Sequence, residues 1–112
     1  MGQYLVQGRY TAASSRSLVS QPRDRGDQVR SLVESLGGRM RDFYFALGEF
    51  DFVIICELPD EVAALSLSLA AGGAGGVAHM QTTRIFTAAE AVDAMTRAQG
   101  AEYAPPGLVL SA

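Results

Sequence analysis

The most constraining feature of this sequence is the short segment Gly48–Glu49–Phe50–Asp51, which separates two runs of strand character. Residues 39–47 before it and 52–58 after it are rich in aromatic and β-branched side chains, which favour strands. The segment therefore predicts a hairpin, with Gly48 at a positive φ and the Asp51 carboxylate accepting backbone amides of the turn. The second run begins FVIIC, which is too apolar for a half-exposed strand and predicts a central strand covered on both faces.

Two helices are predicted from apolar periodicity and from the residues at their ends. The first begins at Asp27, shows the i, i+3, i+4, i+7 spacing of a helix face, and ends at Gly37–Gly38. The second is capped by Asp60 and ends in the glycine-rich run 72–76, which is read as a connecting loop. The predicted apolar faces are Val29, Leu32, Val33 and Leu36 in the first helix, and Val62, Leu65 and Leu69 in the second.

The two ends of the domain are predicted to be strands. Residues 3–11 alternate in polarity, and residues 77–86 form the last strand. Thr87 and Glu90 have the spacing of a capping box, which starts a third helix with Ala91, Val92, Met95 and Ala98 on one face. Between residues 12 and 27, Pro22 interrupts any continuous helix, and only a helical turn near residues 16–20 is expected.

The resulting order, β-α-β-β-α-β with a C-terminal helix, predicts an α+β fold of the ferredoxin-like type with a four-stranded antiparallel sheet. The domain is expected to span residues 1–99, followed by an irregular tail over residues 100–112 whose apolar end packs on the domain or on a partner. Helices cover only one sheet face, and the other face also carries apolar residues. Since such a face is seldom left bare, we expect a homodimer or a higher homo-oligomer.

Composition narrows the function classes. A single cysteine excludes an internal disulfide framework, and with one histidine it leaves no metal-ligand pattern, so neither a metal nor another cofactor is expected. No signal peptide and no apolar run of about 20 residues is apparent, which predicts a cytoplasmic protein that does not span a membrane.

Charge is distributed unevenly along the chain. Every basic residue is arginine, and seven of the nine arginines lie in residues 1–41 against three acids there. These guanidinium groups could bind an anionic ligand, form a solvated helix face, or meet the acidic remainder of a second subunit. Nucleic acid is not expected as a partner, because the whole chain has a net charge of -3.

Four blocks of the sequence carry a family resemblance. The stretch LVESLGGRMRDFYFALGEFDFVIICELPD, together with QTTRIFTAAEAV, resembles the GYD-domain family of small bacterial proteins, with Phe50 where that family more often has tyrosine. The resemblance extends from the first strand to Ala98. It implies a dimeric α+β barrel built from ferredoxin-like subunits and implies no particular activity.

A weaker similarity, confined to the hairpin, links the chain to the effector-binding domains of leucine-responsive transcription regulators. Those domains bind amino acids between subunits, and the helix-turn-helix portion of such regulators has no counterpart in this sequence. Other dimeric α+β barrels are cofactor-free monooxygenases, cyclases or isomerases. Both links are analogies of fold, which is a poor guide to function.

Two residues are candidates for acid–base chemistry. His79 is the only histidine and lies on the last strand, where its ordinary pKa of about 6.5 suits proton transfer near neutrality. Asp51 could act as a general base or ligand contact, although a structural role in the turn with Gly48 and Phe50 is favoured over it. A structural or exposed histidine is likewise favoured for His79.

Three residues are candidates for ligand binding. Arg84 interrupts an apolar strand, so it requires a carboxylate from the protein or from a ligand. Tyr10 and Tyr44 could donate phenol hydroxyls into a pocket, with core packing as the simpler role. Cys56 lies in the most apolar strand and is expected to be an inert packing residue.

These observations leave three readings of function. The first is a small-molecule-binding homodimer whose ligand is anionic or aromatic, with a pocket between sheet and helices or between subunits. The second is a cofactor-independent enzyme, such as a monooxygenase, cyclase or isomerase, with His79 or Asp51 as base and Arg84 as anion anchor. The third is a structural oligomerisation module.

Overall fold

The computed structural model describes residues 1–107. Its elements are β1 (Gly2–Tyr10), α1 (Ala12–Ser20), α2 (Gly26–Ser35), β2 (Arg39–Phe45), β3 (Phe52–Leu58), α3 (Glu61–Gly73), β4 (Val77–Ile85) and α4 (Ala88–Gln99). None of the helices in this part of the chain combines the length and apolarity needed to cross a bilayer.

The four strands form one antiparallel sheet in the order β2-β3-β1-β4. This arrangement confirms the ferredoxin-like order, the four-stranded antiparallel sheet and the additional C-terminal helix. In the two central strands, Leu5 of β1 lies opposite Ile55 of β3. The register shifts between Arg9 and Tyr10 at the end of β1, where Ala78 of β4 is left without a partner in β1.

The hydrophobic core lies between the helices and one face of the sheet. Tyr4 and Val6 of β1 and alternate residues of β3 are buried there against Val33 and Leu67 of the helices. The expectation that both faces of β3 are covered is wrong for the single chain. Val53 and Ile55, on the face opposite the helices, are only partly buried, because no element of the described chain packs over them.

Helix α2 follows the predicted periodicity, and Gly37 after it has a φ of +82°, the left-handed conformation expected at a helix C-terminus. Helix α1 is longer than the predicted turn and occupies nine residues. Its start depends on Thr11, whose hydroxyl accepts a hydrogen bond from the amide of Ser14 at 3.2 Å. It ends before Pro22, as the missing amide of that residue requires.

Helix α3 presents a different face to the sheet from the one predicted. Asp60 caps it as expected, accepting from the Ala63 amide at 2.8 Å. The buried side chains are Ala63, Ala64 and Leu67, whereas the predicted face of Val62, Leu65 and Leu69 is 59–72% exposed. Because alanines face the sheet, the helix lies close to it, and the larger side chains of the predicted face point away from the sheet. The helix also continues through Gly72 and Gly73, so the loop is shorter than predicted, with a positive φ at Gly75.

Helix α4 starts with the predicted capping box, because the Thr87 hydroxyl accepts from the Glu90 amide and the Glu90 carboxylate accepts from the Thr87 amide. These bonds to Thr87 lower the pKa of Glu90.

The chain measures 68 × 30 × 22 Å with a radius of gyration of 18.7 Å, against about 13 Å for a compact domain of this length. No residue of α4 is buried. Residues 101–107 form no helix or strand, and the packing predicted for the apolar residues after 107 lies outside the described residues.

Candidate functional site

The helical side of the sheet contains a cavity of about 460 Å³. Its floor is formed by side chains from all four strands, and its cover is formed by α1, α2 and α3. The floor residues are Tyr10, Phe43, Phe52, Ile54, Val77 and Met80. The cover includes Leu18 from α1, Val29 and Leu32 from α2, and Leu67, Ala70 and Ala71 from α3. The cavity is therefore lined mainly by apolar and aromatic side chains, which is typical of small-molecule sites.

The cavity remains open because two of the helices that cover it, α1 and α3, do not fill it with large buried side chains. Helix α1 contributes no buried residue, and Pro22 lies in the segment that separates it from α2. Helix α3 presents alanines, including Ala70 and Ala71, where larger side chains would fill the gap. The core is therefore packed less tightly here than over the rest of the sheet.

The polar side chains around the cavity come from α1, α2 and the segment between them. They are Ser14, Ser17, Arg23, Arg25 and Gln28. The Arg23 guanidinium is already engaged, since it donates to the Ser17 carbonyl at 3.2 Å, to the Ser17 hydroxyl at 3.0 Å and to the Gln21 carbonyl. It thereby holds the end of α1 in place.

Arg25 differs from Arg23 in having no such partner. It is partly buried, stands directly before α2, and makes no hydrogen bond or ion pair through its guanidinium within residues 1–107. Sequence reasoning did not single it out, because seven arginines share the first 41 residues and periodicity does not distinguish them. The one local signal was its position between Pro22 and the start of the predicted helix.

Tyr10 is the residue predicted from the sequence that lines the cavity. Its ring lies 5.1 Å from that of Phe52 and 5.8 Å from that of Phe45. Burial raises the pKa of the Tyr10 phenol, the positive charge of Arg25 acts to lower it, and the Asp51 carboxylate acts to raise it. The phenol is therefore a neutral hydrogen-bond donor at neutral pH, within the electrostatic reach of Arg25.

The hairpin has a different internal chemistry from the predicted one. The positive φ expected at Gly48 is wrong, since the positive values among residues 1–107 belong to Gly37, Gly75 and Gly107. The Asp51 carboxylate accepts from the amide of Tyr10, 41 residues away, at 2.9 Å. Asp51 thus ties the hairpin to the end of β1 instead of to the amides of its own turn.

His79 lies on the open face of the sheet, exposed to solvent, and does not line the cavity. Its ring stacks on that of Phe50, with the centroids 6.2 Å apart and the planes 15° from parallel. The structure therefore brings His79 next to the hairpin but leaves it on the opposite side of the sheet from Tyr10. Within residues 1–107, no cluster of three histidine, cysteine or acidic side chains could hold a metal ion.

Arg84 lies on the helical face, beyond the cavity lining. It donates to the backbone carbonyls of Gln3 and Ile85 and pairs with Glu90 at 3.7 Å. Its guanidinium also lies 4.4 Å from the ring centroid of Phe86. The protein itself thus supplies the carboxylate that this arginine was expected to require.

Tyr44 and Cys56 both lie away from the cavity. Tyr44 is 57% exposed, and its hydroxyl donates to Asp42 at 3.3 Å. Cys56 is fully buried, and this burial raises the pKa of its thiol to about 11, so it remains protonated and unreactive at neutral pH.

Comparison with known proteins identifies the family and one similar fold. A family model described as the GYD domain matches residues 4–95. The crystal structure of MtbAldR is similar to this chain with a TM-score of 0.51 and 16% sequence identity, over 77% of this chain. The similar region spans only 52% of the MtbAldR chain, and at this identity the likeness concerns the fold alone. No curated protein matches the sequence.

Proposed function

This chain belongs to the GYD-domain family, and from that premise we propose that it is a small-molecule-binding, homodimeric domain whose ligand occupies the cavity between the sheet and helices α1–α3. The observation that carries the proposal is the cavity itself. Its volume of about 460 Å³ falls within the range of roughly 300–1,000 Å³ that is usual for ligand pockets.

The lining of the cavity supports an anionic or aromatic ligand. The rings of Phe43 and Phe52 lie 6.3 Å apart in the floor, which offers aromatic surface to a planar or apolar group. Among residues 1–107, the charged side chains that line the cavity are Arg23 and Arg25, so the local field favours an anion.

Binding is favoured over catalysis by the position of the candidate bases. Neither His79 nor Asp51 lines the cavity, and the Asp51 carboxylate is engaged with the Tyr10 amide. A cofactor-independent monooxygenase, cyclase or isomerase working in this cavity would have to use Tyr10 or bring its base from elsewhere.

The homodimer is supported by the open face of the sheet. Leu5, Val53 and Ile55 form a contiguous apolar group at the centre of this face, since Leu5 is paired with Ile55 and Val53 lies two residues away on β3. Two copies related by a twofold axis would cover this group on both sheets at once. Such pairing leaves the cavities on the outer, helical sides of both sheets.

The cavity proposal is tested by filling the cavity. Ala71→Phe places a ring in the space, and Ala89→Phe on exposed α4 is the matched control. Both variants and the wild type are screened by thermal shift against aromatic and aliphatic carboxylic acids. We expect compounds that raise the Tm of the wild type and the control but not that of Ala71→Phe. Equal stabilisation of all three proteins would place the binding site elsewhere and contradict the proposal.

A further inference from the structure

We infer that the ligand of this cavity is an amphipathic monoanion, with one carboxylate or similar head held by Arg25 and an apolar, ring-sized body lying on Phe43 and Phe52. This inference rests on the proposed function and makes it specific. Arg25, directly before α2, binds the charged head, and the side chains of the sheet determine the shape of the body that fits.

Six of the other eight arginines are engaged with oxygen atoms of the described residues. Arg9, Arg30, Arg39 and Arg84 each pair with a carboxylate, at distances between 2.9 and 3.8 Å. Arg23 donates to oxygens of α1 and its following turn, and Arg41 to the Gln3 side chain at 3.4 Å. Arg16, Arg25 and Arg97 make none of these contacts within residues 1–107, and of these three only Arg25 is partly buried and lines the cavity. Since no side-chain nitrogen of the described residues is buried without a partner, the Arg25 guanidinium is accessible and an anion in the cavity can bind it by a charge-assisted hydrogen bond.

The carboxylates next to Arg25 are engaged in other contacts. Asp24 accepts from the Gly26 amide at 2.7 Å, and Asp27 pairs with Arg30 at 3.4 Å. No acidic side chain of residues 1–107 lines the cavity, although the Asp51 carboxylate acts on the Tyr10 phenol from outside it. Since Arg23 is already engaged, one guanidinium is available, which favours a single negative charge on the ligand.

The body of the ligand is defined by the floor. Phe43, Phe52 and Ile54 lie on adjacent strands β2 and β3 and present a continuous apolar surface to the cavity. Leu67 closes this surface from α3. The Tyr10 hydroxyl is the polar group on the sheet side and can donate a second hydrogen bond to the same anionic head.

The test compares acids with neutral amides of the same shape. Phenylacetate, 3-phenylpropanoate and 4-phenylbutanoate, each paired with its primary amide, are titrated into the full chain by calorimetry. In the wild type we expect at least one acid to bind about tenfold or more tightly than its amide, as a charge-assisted hydrogen bond provides. Arg25→Gln should reduce acid affinity by about the same factor and leave amide affinity unchanged, while Arg16→Gln on exposed α1 should change neither.

The outcomes separate the inference from the proposed function. If acids and amides bind equally to the wild type, or if Arg25→Gln binds acids as tightly as the wild type, the charge inference is overturned while the cavity remains a binding site. If no acid and no amide binds, both fail. Should Arg25→Gln not fold, the acid–amide comparison and its salt dependence in the wild type still decide, because only a charge-based preference weakens with added salt.

Discussion

The carboxylate of Asp51 accepts a hydrogen bond from the backbone amide of Tyr10 at 2.9 Å, across 41 residues of sequence. Tyr10 lies just beyond Gly8, the last residue of β1 that is paired with β3, so its amide faces the hairpin. In return, the Asp51 amide donates to the Gly8 carbonyl at 2.8 Å. The hairpin therefore fixes the end of β1 and, with it, the position of the Tyr10 side chain in the cavity floor.

Replacing Asp51 should destabilise the domain. Asp51→Ala leaves the Tyr10 amide without an acceptor and should lower the free energy of unfolding by about 1–3 kcal/mol in urea denaturation. Asp51→Asn retains an acceptor oxygen and should lose less. The control is Glu49→Gln, because Glu49 is exposed and its 3.8 Å contact with Arg9 should contribute at most about 1 kcal/mol. Equal losses for Asp51→Ala and the control would contradict a role for Asp51 in holding β1.

Two glycines near the hairpin should respond in opposite ways to alanine. A Cβ at Gly8 would lie within 2.7 Å of Phe52 Cε2 and 3.0 Å of the His79 carbonyl, so Gly8→Ala should cost about 1–3 kcal/mol of unfolding free energy. A Cβ at Gly48 would meet nothing within 4 Å, and its φ is not positive. Gly48→Ala should therefore be neutral or stabilising by up to about 1 kcal/mol. A large loss of stability in Gly48→Ala would contradict this and support the positive φ predicted for Gly48 from the sequence.

The buried thiol of Cys56 should be protected from reagents in the folded state. Its side chain is fully buried and its pKa is raised to about 11, so few thiolates are present at pH 8. We expect no measurable labelling by a thiol reagent at pH 8 in native buffer and complete labelling in denaturant. Rapid labelling of the native protein would mean that β3 opens readily.

The same thiol predicts a pH dependence of stability. Its pKa is higher in the folded chain than the value of about 8.5 expected when unfolded, so the unfolded state loses its proton first as pH rises. The stability contributed by the neutral thiol is complete below about pH 8 and is lost between about pH 8.5 and 11. Between pH 8 and 10 the wild type should lose about 1–2 kcal/mol more than Cys56→Ala. Tyrosines also ionise in this range, but they do so in both proteins and cancel in the comparison.

The proposed dimer predicts the surface on which an introduced charge should cause dissociation. Ile55→Glu places a carboxylate at the centre of the open sheet face and should convert a dimer to a monomer in light scattering after size exclusion. The exposed Val19 on α1, mutated to glutamate, should leave the dimer intact. If Leu65→Glu on the outer side of α3 dissociates the protein and Ile55→Glu does not, the interface is formed by helices and the sheet-face dimer is wrong.

Much of the fold could be predicted because it depends on local physics. Helix α2, the left-handed Gly37 after it, and the caps at Asp60 and Thr87 each follow from hydrogen bonds or backbone preferences within a few residues. The candidate site could be predicted only in part. Tyr10 lines the cavity, whereas the sequence offered Arg84 as the anion anchor, and the structure pairs that arginine with Glu90.

The sequence by itself determined the order of elements, their caps and the family, because these depend on short-range spacing. Only the tertiary structure decided which face of α3 meets the sheet. Ala63, Ala64 and Leu67 pack against it because small residues allow a close approach, and this leaves Val62 and Leu65 outside. The same orientation of α3 places Ala70 and Ala71 in the cavity lining and leaves the cavity open, with Arg25 also in its lining. Such fits depend on the shapes of surfaces that are distant in sequence, which no periodicity within one helix can report.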